Sequence, residues 1–362
     1  MGVVIMLRVL IHPLSFLSFA ALLIALFMSI YPYEALQSSL RGLSIWWEVL
    51  FPALFPFFVI SELLLGFGIV HFFGKLLDPL MRPVFRLPGI GGFVVTMGSI
   101  SGYPVGARLT AQLWEQGLIN RTEGERLVAF TTTSDPIFLI GAVSIGFFHN
   151  AQLAAILAAA HYGGGLIIGL LMRYHDKHLS IPVTANKPST KLIAGKPRRL
   201  TIAIRAMHEA RLLDGRSFGA LLQDSMQSAL RLMIVVGGLV VFFSVVVEML
   251  THAGLVSLLA DALHFILTMF GLPIQLADPI VYGLFEVTLG AREAGQASSG
   301  LMHQAAFAAW VLSWGGLSVH AQVISILNQT PLRYKPFLLA RLLHGFIAMA
   351  LVYLLWDMLG PA

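Results

Sequence analysis

The chain has 362 residues, of which 57% are hydrophobic and only 11% are charged. Because soluble domains carry about a quarter charged residues, this composition excludes an ordinary soluble protein and predicts a polytopic membrane protein. The net charge is +5 and there are no cysteines, which excludes disulfides and thiolate metal sites. The basic residues gather beside apolar segments, so the positive charge does not favour a nucleic-acid partner.

Seven segments are long and apolar enough to cross a bilayer core of about 30 Å, which requires about 20 residues per helix. They are residues 13–31, 44–66, 125–147, 151–172, 228–250, 302–327 and 336–357. The first follows Arg8 and has no small-residue cleavage site after it, so we expect a retained span and not a signal peptide. Polar residues interrupt segments 69–87 and 254–271, which predicts helices lying at the membrane interface.

Two further apolar segments, 92–107 and 278–290, are too short to cross the membrane and are rich in glycine and proline. Irregular backbone at membrane depth persists only where protein shields it or a cavity hydrates it. We therefore expect re-entrant helical hairpins at about 92–118 and 276–300. Their tips are expected to meet each other, and the polar break around Ser134, near the membrane midplane.

An internal repeat relates the two halves of the chain. Glu62 and Glu248 lie in matching stretches 186 residues apart, and Gly106-Ala107-Arg108 recurs 184 residues later as Gly290-Ala291-Arg292. Paired segments broken by glycine and proline are typical of secondary transporters, which bind substrate between their halves. The predicted organisation is an N-terminal transmembrane helix (1–43), a first repeat (44–173), a cytoplasmic basic loop (174–225) and a second repeat (226–362).

The charge distribution predicts the orientation in the membrane. With the N-terminus inside, seven crossings place every one of the 23 Lys and Arg residues on the cytoplasmic side except Arg41 and Arg292. This asymmetry follows the positive-inside rule. The first repeat then begins outside and the second inside, so the repeats are inverted. The loop 174–225 is expected to be a solvated linker facing anionic lipid head groups, with docking of a partner protein as the alternative.

Arg108 and Arg292 are the leading candidates for substrate binding. Each follows a Gly-Ala pair in a short broken helix, and a guanidinium presents a planar fork that suits carboxylates. Helix N-termini nearby would add to an anion site. The alternative is that each arginine reaches the interface or pairs with a nearby acid such as Glu115 or Glu293.

Glu286 and Asp135 are candidates for a coupling group or a polar core. Glu286 lies inside the second hairpin, where a carboxylate is costly unless it is paired, protonated or hydrated. A structural salt bridge to Arg292 is the alternative for Glu286, and a polar kink satisfied by its neighbours is the alternative for the break that contains Asp135. The remaining candidate substrate contacts are polar residues of the first hairpin tip and of the two helix breaks: Ser99, Ser101, Gly102, Tyr103, Ser134 and Ser318.

Other kinds of chemistry have little support in the sequence. His175 and His178 are spaced for one helix face but lack a carboxylate pair, so we expect no metal site. No Walker-type loop is present, which argues against an ATP-driven pump. No nucleophile has a convincing base partner, so we expect neither an enzyme nor a cofactor.

Three motifs carry a resemblance to a known family: Phe55-Pro-Phe-Phe58, Gly98-Ser-Ile-Ser-Gly-Tyr-Pro-Val-Gly-Ala107 and Thr132-Thr-Ser-Asp-Pro136. With these motifs the chain resembles the YlbJ-type sporulation integral membrane proteins, also called SpoVV, of the Gate or nucleoside-recognition superfamily. The resemblance implies an all-α polytopic fold like that of concentrative nucleoside transporters. It also implies transport of dipicolinate from the mother cell across the outer forespore membrane.

Dipicolinate is pyridine-2,6-dicarboxylate, a flat aromatic dianion, and two arginines would offer one fork to each carboxylate. Two alternatives stay open: a transporter of nucleosides or another small polar metabolite, and a non-transporting assembly protein of the spore membrane. Besides the substrate and the lipid bilayer, the expected partners are a second copy of the chain or other sporulation membrane proteins.

Overall fold

The computed structural model describes residues 13–176 and 199–361, and every regular element within these ranges is helical. Helices dominate because each backbone N–H and C=O group inside an apolar medium must find its partner within the same segment. The all-helical architecture predicted from the sequence is confirmed.

The first half of the chain contains eight helices and two π-helical segments, Ile45–Leu50 and Phe138–Phe147. The helices are α1 (Pro13–Ile30), α2 (Pro32–Ser44), α3 (Phe51–Gly66), α4 (Ile69–Phe85), α5 (Gly91–Ser101), α6 (Tyr103–Glu115), α7 (Arg121–Thr131) and α8 (Leu153–Met172). Pro32 begins α2, as proline often begins helices because its missing N–H is not needed there. The chain turns by 107° at this point.

The second half contains eight helices and one short 3-10 turn, Ile274–Leu276. The helices are α9 (Arg199–Asp214), α10 (Phe218–His252), α11 (Leu255–Met269), α12 (Ala277–Phe285), α13 (Val287–Gln296), α14 (Leu301–Trp314), α15 (Gly316–Leu327) and α16 (Tyr334–Leu359). With 35 residues, α10 is the longest of these sixteen helices. At about 1.5 Å per residue it extends well beyond a hydrocarbon core of about 30 Å.

The same order of elements occurs in both halves. Two successive helices (α3–α4, α10–α11) precede a hairpin of two short helices (α5–α6, α12–α13), a broken helix and a long helix (α8, α16). Gly68 and Gly254 precede α4 and α11 with φ of +75° and +73°, a conformation that favours glycine. The shared order supports an internal repeat, whereas the inverted orientation of the two halves stays a prediction.

Among the described residues, fewer helices are long and apolar enough to cross a membrane than the seven segments that the sequence predicts. By length and composition, the described helices that can do so are Leu153–Met172, Phe218–His252, Leu301–Leu327 and Tyr334–Leu359. Two bent pairs, Ser18–Ile30 with Pro32–Glu48 and Phe58–Gly66 with Ile69–Phe85, raise this number from four to six if each pair is one span. The remaining segment, 125–147, is interrupted because α7 stops at Thr131 and the backbone is irregular through Asp135. Pro136 follows, and a proline disfavours helical backbone in the residue before it.

The main core joins the two halves of the chain. It includes buried residues of α8 and of Phe138–Phe147 from the first half, and of α13, α14 and α16 from the second. Helix α14 packs against α16, α13 and α8, and small side chains allow such close helix contacts. Its buried alanines are Ala305, Ala306, Ala308 and Ala309. This packing holds the helix breaks and hairpin tips of both halves in one region.

Candidate functional site

The first hairpin packs against the break after α7. Gly102, with φ +88°, joins α5 to α6. A Cβ atom on Gly106 would lie only 2.4 Å from the backbone oxygen of Thr131, so a side chain there would force the two elements apart. Thr133 Oγ1 donates a hydrogen bond to the Gly98 carbonyl over 3.4 Å. Glycines of the hairpin thus allow it to contact the end of α7 directly.

The second hairpin packs against the break between α14 and α15. Glu286 joins α12 to α13, and its carboxylate caps α13 by accepting a hydrogen bond from the Leu289 N–H over 2.8 Å. A Cβ atom on Gly316 would lie 2.9 Å from the Phe285 carbonyl oxygen and 3.0 Å from the Glu286 Cα atom. Each half therefore brings its own hairpin tip to its own helix break.

The two tips and the two breaks surround one cavity of about 40 Å³. The lining includes Gly102, Tyr103 and Glu286 from the tips, and Asp135 and Ser318 from the breaks. Each buried water requires roughly 10–15 Å³ of such volume, so the cavity fits a few waters or one cation. An organic substrate does not fit, and the centre is closed to one in this conformation.

Two carboxylates and the unpaired hydroxyl of Ser318 define the chemistry of this central cavity. Asp135 accepts a hydrogen bond from the Phe138 N–H over 2.8 Å, as Glu286 does at α13. Both carboxylates therefore lie at helix N-termini, where the helix dipole favours negative charge. The buried hydroxyl of Ser318, in the cavity lining, has no hydrogen-bond partner among the described residues; nor does that of Ser101, which does not line the cavity. Such groups are costly to bury unless water or a ligand supplies the missing bond.

Two of the predicted site residues, Ser99 and Ser134, form hydrogen bonds with neighbouring protein groups. Ser99 Oγ donates to the Val95 carbonyl over 2.8 Å, and Ser99 does not line the central cavity. Ser134 is fully buried, its N–H donates to His161 Nε2 over 2.9 Å, and its carbonyl accepts from the Tyr162 hydroxyl over 3.0 Å. Both serines therefore support the helices around the cavity.

Arg108 lies at two larger cavities, of about 420 and 470 Å³, which also involve α10. Its Nε atom is 3.8 Å from Glu62 Oε1, and its Nη2 atom donates to Ser228 Oγ over 3.3 Å. The side chain is 34% exposed. The acid that pairs with Arg108 is therefore Glu62, and not Glu115, which the sequence suggested.

Arg292 lies at a different cavity, of about 660 Å³, with mostly apolar walls. Its side chain is 47% exposed and lies 3.5 Å from Glu293. None of these four cavities, which are formed by the described residues, is lined by both Arg108 and Arg292. In this conformation the two arginines therefore do not form the joint site that the sequence predicts. Each lies six residues beyond its hairpin tip, about 9 Å along a helix, and so outside the central cavity.

A fully buried arginine supports the break after α7. Arg341 of α16 donates to the carbonyl oxygens of Ala129, over 3.0 Å, and of Thr132. These carbonyls lie at the C-terminal end of α7, where helical partners are missing and positive charge is favourable. The charge distribution along the sequence counts Arg341 among the cytoplasmic basic residues, whereas in the structure its side chain is fully buried in the protein core.

His161 of α8 connects the breaks of the two halves. Its Nε2 atom accepts from the Ser134 N–H over 2.9 Å, which places the ring proton on Nδ1, 2.9 Å from Ser313 Oγ. This pattern requires a neutral imidazole at His161. His344 of α16 stacks on the His161 ring at 5.2 Å and donates from Nε2 to the His161 carbonyl over 2.7 Å. The two histidines thus hold α8 and α16 together beside both breaks.

Sequence reasoning missed Arg341, His161 and His344 although a signal was present. All three are ionisable residues within apolar segments, and such residues are functional by default. Arg341 and His344 are three residues apart and share a helix face. The contact of that face with α8 and α7 is a matter of packing, which the spacing does not reveal.

A second cluster of acids and histidine lies at the start of α7. Ligand atoms of Glu125, His175 and Asp176 lie within 4.8 Å of one another, close enough for a metal ion. Arg333, however, donates to both Glu125 and Asp176 and supplies the positive charge. The cluster is an ion-pair network joining α7, the end of α8 and the residues before α16. His178, which the sequence pairs with His175, lies outside the described residues.

Comparison with known proteins identifies the family. The Gate family, described as nucleoside recognition, matches residues 47–163 and 233–330. The chain is 44% identical over 356 residues to the sporulation integral membrane protein YlbJ of Bacillus subtilis (strain 168), covering 97% of this chain and 85% of that protein. An uncharacterized protein of Alkalihalophilus pseudofirmus is 27% identical over 109 residues, 28% of this chain and 24% of that protein. No solved structure matches. The predicted resemblance is confirmed, and the chain belongs to the Gate (nucleoside recognition) family as a relative of the integral membrane protein YlbJ.

Proposed function

We propose that this integral membrane protein is a secondary transporter whose substrate passes between its two halves. The observation that carries the proposal is the small cavity, lined by Glu286, Asp135 and Ser318, at which two hairpin tips and two helix breaks meet. Secondary transporters bind substrate where discontinuous helices of two repeats meet near the midplane. In this proposal the hairpins are re-entrant, the halves are inverted, and the cavities at Arg108 and Arg292 open toward opposite sides of the membrane.

The proposed substrate is dipicolinate, moved from the mother cell across the outer forespore membrane. The name of the relative YlbJ, a sporulation protein, supports this cellular setting. The cavity at Arg292 combines apolar walls that include Phe138 and Phe147 with one guanidinium, and Glu48 and Asp135 also line it. The support for this chemical class comes from the aromatic walls and the guanidinium. Aromatic faces suit a flat ring, and a guanidinium fork suits a carboxylate.

A dianion that crosses the centre must pass Glu286 and Asp135, which are both buried. Negative charges close together in a poorly solvated site repel strongly. We therefore propose that one or both of these carboxylates bind a proton or a cation that moves with the substrate.

A second candidate function is transport of a nucleoside or another neutral polar metabolite. The central cavity offers the neutral polar groups of Thr288, Ser318 and Gln322, and the matching family is described as nucleoside recognition. A neutral substrate would not require guanidinium groups in the flanking cavities. A non-transporting assembly role in the spore membrane is the third candidate.

Uptake by the purified protein in liposomes distinguishes these functions. Radiolabelled dipicolinate, uridine and succinate are compared under imposed proton and sodium gradients, with protein-free liposomes as the control. We expect gradient-dependent uptake of dipicolinate and little uptake of the other two. Uptake of uridine alone would favour the second candidate, and no uptake of any of the three would favour the assembly role.

A further inference from the structure

We propose that the cavity between α6 and α10 is a binding site for a small dicarboxylate, held by Arg108 and Arg231. The inference rests on the proposed transport function and deepens it by locating a substrate site on one side of the centre. The cavity has a volume of about 470 Å³ and is lined by α6, the N-terminal part of α10, the end of α15 and Gln329 just after it. It thus lies between the two halves of the protein.

Two guanidinium groups line this cavity from different elements. Arg108 reaches it from α6 and uses one N–H donor, in the 3.3 Å bond to Ser228. Arg231 reaches it from α10 and makes no hydrogen bond or ion pair with any other described residue. Because a guanidinium has five N–H donors, both arginines retain a fork that a carboxylate can occupy.

The acid nearest Arg108 is already engaged by neutral donors. Glu62 Oε1 accepts from Ser228 Oγ over 2.7 Å and from Gln112 Nε2 over 3.0 Å. Glu62 Oε1 lies 3.8 Å from Arg108 Nε, so the two side chains form an ion pair but no hydrogen bond. Glu62 therefore positions the guanidinium and leaves most of its N–H groups free.

The acid within the cavity lining also has a partner. Asp224 lies 3.0 Å from Arg216, which bonds Asp214 as well and thereby holds the pKa of the Asp214 carboxyl below its ordinary value. Arg216 is shared between Asp214 and Asp224, so it offsets the charge of Asp224 only in part. The cavity lining itself holds two guanidinium groups, of Arg108 and Arg231, and one carboxylate, of Asp224. The electrostatics of the cavity therefore favour an anion.

Neutral polar groups and the cavity volume complete the match to a small dicarboxylate. Gln227, Ser325 and Gln329 provide additional donors, and Leu232, Val235 and Ile326 provide an apolar wall. The volume lies within the range of about 300–1,000 Å³ that is usual for small-molecule sites. A rigid ligand with two carboxylates would engage both guanidiniums, whereas a ligand with one carboxylate would engage one at a time.

A ligand and variant comparison tests this pairing. Binding of dipicolinate and of its monocarboxylate analogue picolinate is measured by calorimetry on the full chain in nanodiscs. We expect wild-type protein to bind dipicolinate more tightly than picolinate. Arg231→Gln should weaken the binding of dipicolinate at least about tenfold, as expected for loss of one charge-assisted contact. It should change the affinity for picolinate by less than about threefold.

The controls separate this inference from the proposed function. Arg205→Gln makes the same charge change at an exposed residue of α9 and should alter the affinity for neither dipicolinate nor picolinate. Arg231→Lys should bind dipicolinate with intermediate affinity, because an ammonium keeps the charge and loses the fork. If Arg231→Gln binds dipicolinate as wild type does, the inference is wrong, whatever its uptake assay shows. Uptake of dipicolinate by wild-type liposomes tests the transport function separately and does not depend on Arg231.

Discussion

Arg341 supplies hydrogen bonds to carbonyl groups at the end of α7, where the helix is broken. Replacing it by methionine keeps much of the side-chain volume and leaves those buried carbonyls without donors. We expect Arg341→Met to destabilise the protein by roughly 3–5 kcal/mol, the usual cost of removing one partner from a buried charged contact. The measurement is the thermal unfolding midpoint of the purified protein in detergent.

The matched control for Arg341 is Lys335→Met, an exposed residue of the same helix, which should leave the midpoint nearly unchanged. Arg341→Lys should have an unfolding midpoint between those of wild type and Arg341→Met, because one ammonium replaces a fork that reaches two carbonyls. Equal midpoints for Arg341→Met and Lys335→Met would show that the break does not depend on Arg341.

Arg108 and Arg292 line separate cavities, which predicts independent effects on transport. We expect Arg108→Ala and Arg292→Ala each to raise the apparent KM for dipicolinate, because each removes a guanidinium from one side of the centre. In a double-mutant cycle of kcat/KM for uptake, their effects should add within about 0.5 kcal/mol. A coupling energy well above that value would indicate that one substrate contacts both arginines at once, as the sequence alone predicts.

Glu286 combines a structural and a proposed coupling role. Its carboxylate caps α13 and lines the central cavity. A glutamine in its place keeps an oxygen that can accept the Leu289 N–H, so Glu286→Gln should fold. We expect this variant to lose the dependence of uptake on an imposed proton or sodium gradient. Unchanged gradient dependence in liposomes would exclude Glu286 as the coupling group.

At the scale of elements, the contact between a hairpin and a helix break depends on the absence of side chains. Gly106→Ala would place a methyl group 2.4 Å from the Thr131 carbonyl oxygen. Because backbone cannot move aside easily, we expect a loss of roughly 1–3 kcal/mol of stability, measured by chemical or thermal unfolding. Gly238→Ala, within α10 and with nothing within 4 Å, should instead stabilise by up to about 1 kcal/mol.

The stability of Gly106→Ala, compared with that of Gly238→Ala, can contradict this interpretation of the hairpin contact. If Gly106→Ala leaves stability unchanged or raises it, the first hairpin does not pack tightly on the end of α7. Uptake measured on Gly106→Ala would then also remain near wild type, since the central cavity would keep its shape.

At the scale of the whole molecule, the orientation of the chain in the membrane stays a prediction from its charges. The sequence predicts that 21 of the 23 Lys and Arg residues lie on the cytoplasmic side, and one of these, Arg341, is fully buried within the protein. The chain has no cysteine, so single cysteines can be introduced without background. We expect Thr201→Cys and Pro361→Cys to react with a membrane-impermeant maleimide from opposite sides of the membrane. Labelling of both from one side would mean that the number of spans between them is even.

Several features of this protein follow from the sequence by itself. The apolar composition dictates membrane helices, because apolar runs of this length are stable only away from water. Glycine and proline mark short helices where the structure has α5–α6 and α12–α13. Gly68 and Gly254 mark matching turns of the repeat. These features are local in the chain, so spacing and hydropathy predict them.

The tertiary structure decided which side chains meet. It separates Arg108 from Arg292, although their motifs are identical, because both lie beyond the hairpin tips and face different cavities. It places Arg231 in a cavity with Arg108, and it brings Arg341 to the broken end of α7. Contacts of this kind join residues more than 100 positions apart. They depend on how distant helices pack, because small residues set how closely two helices approach and which faces they bury.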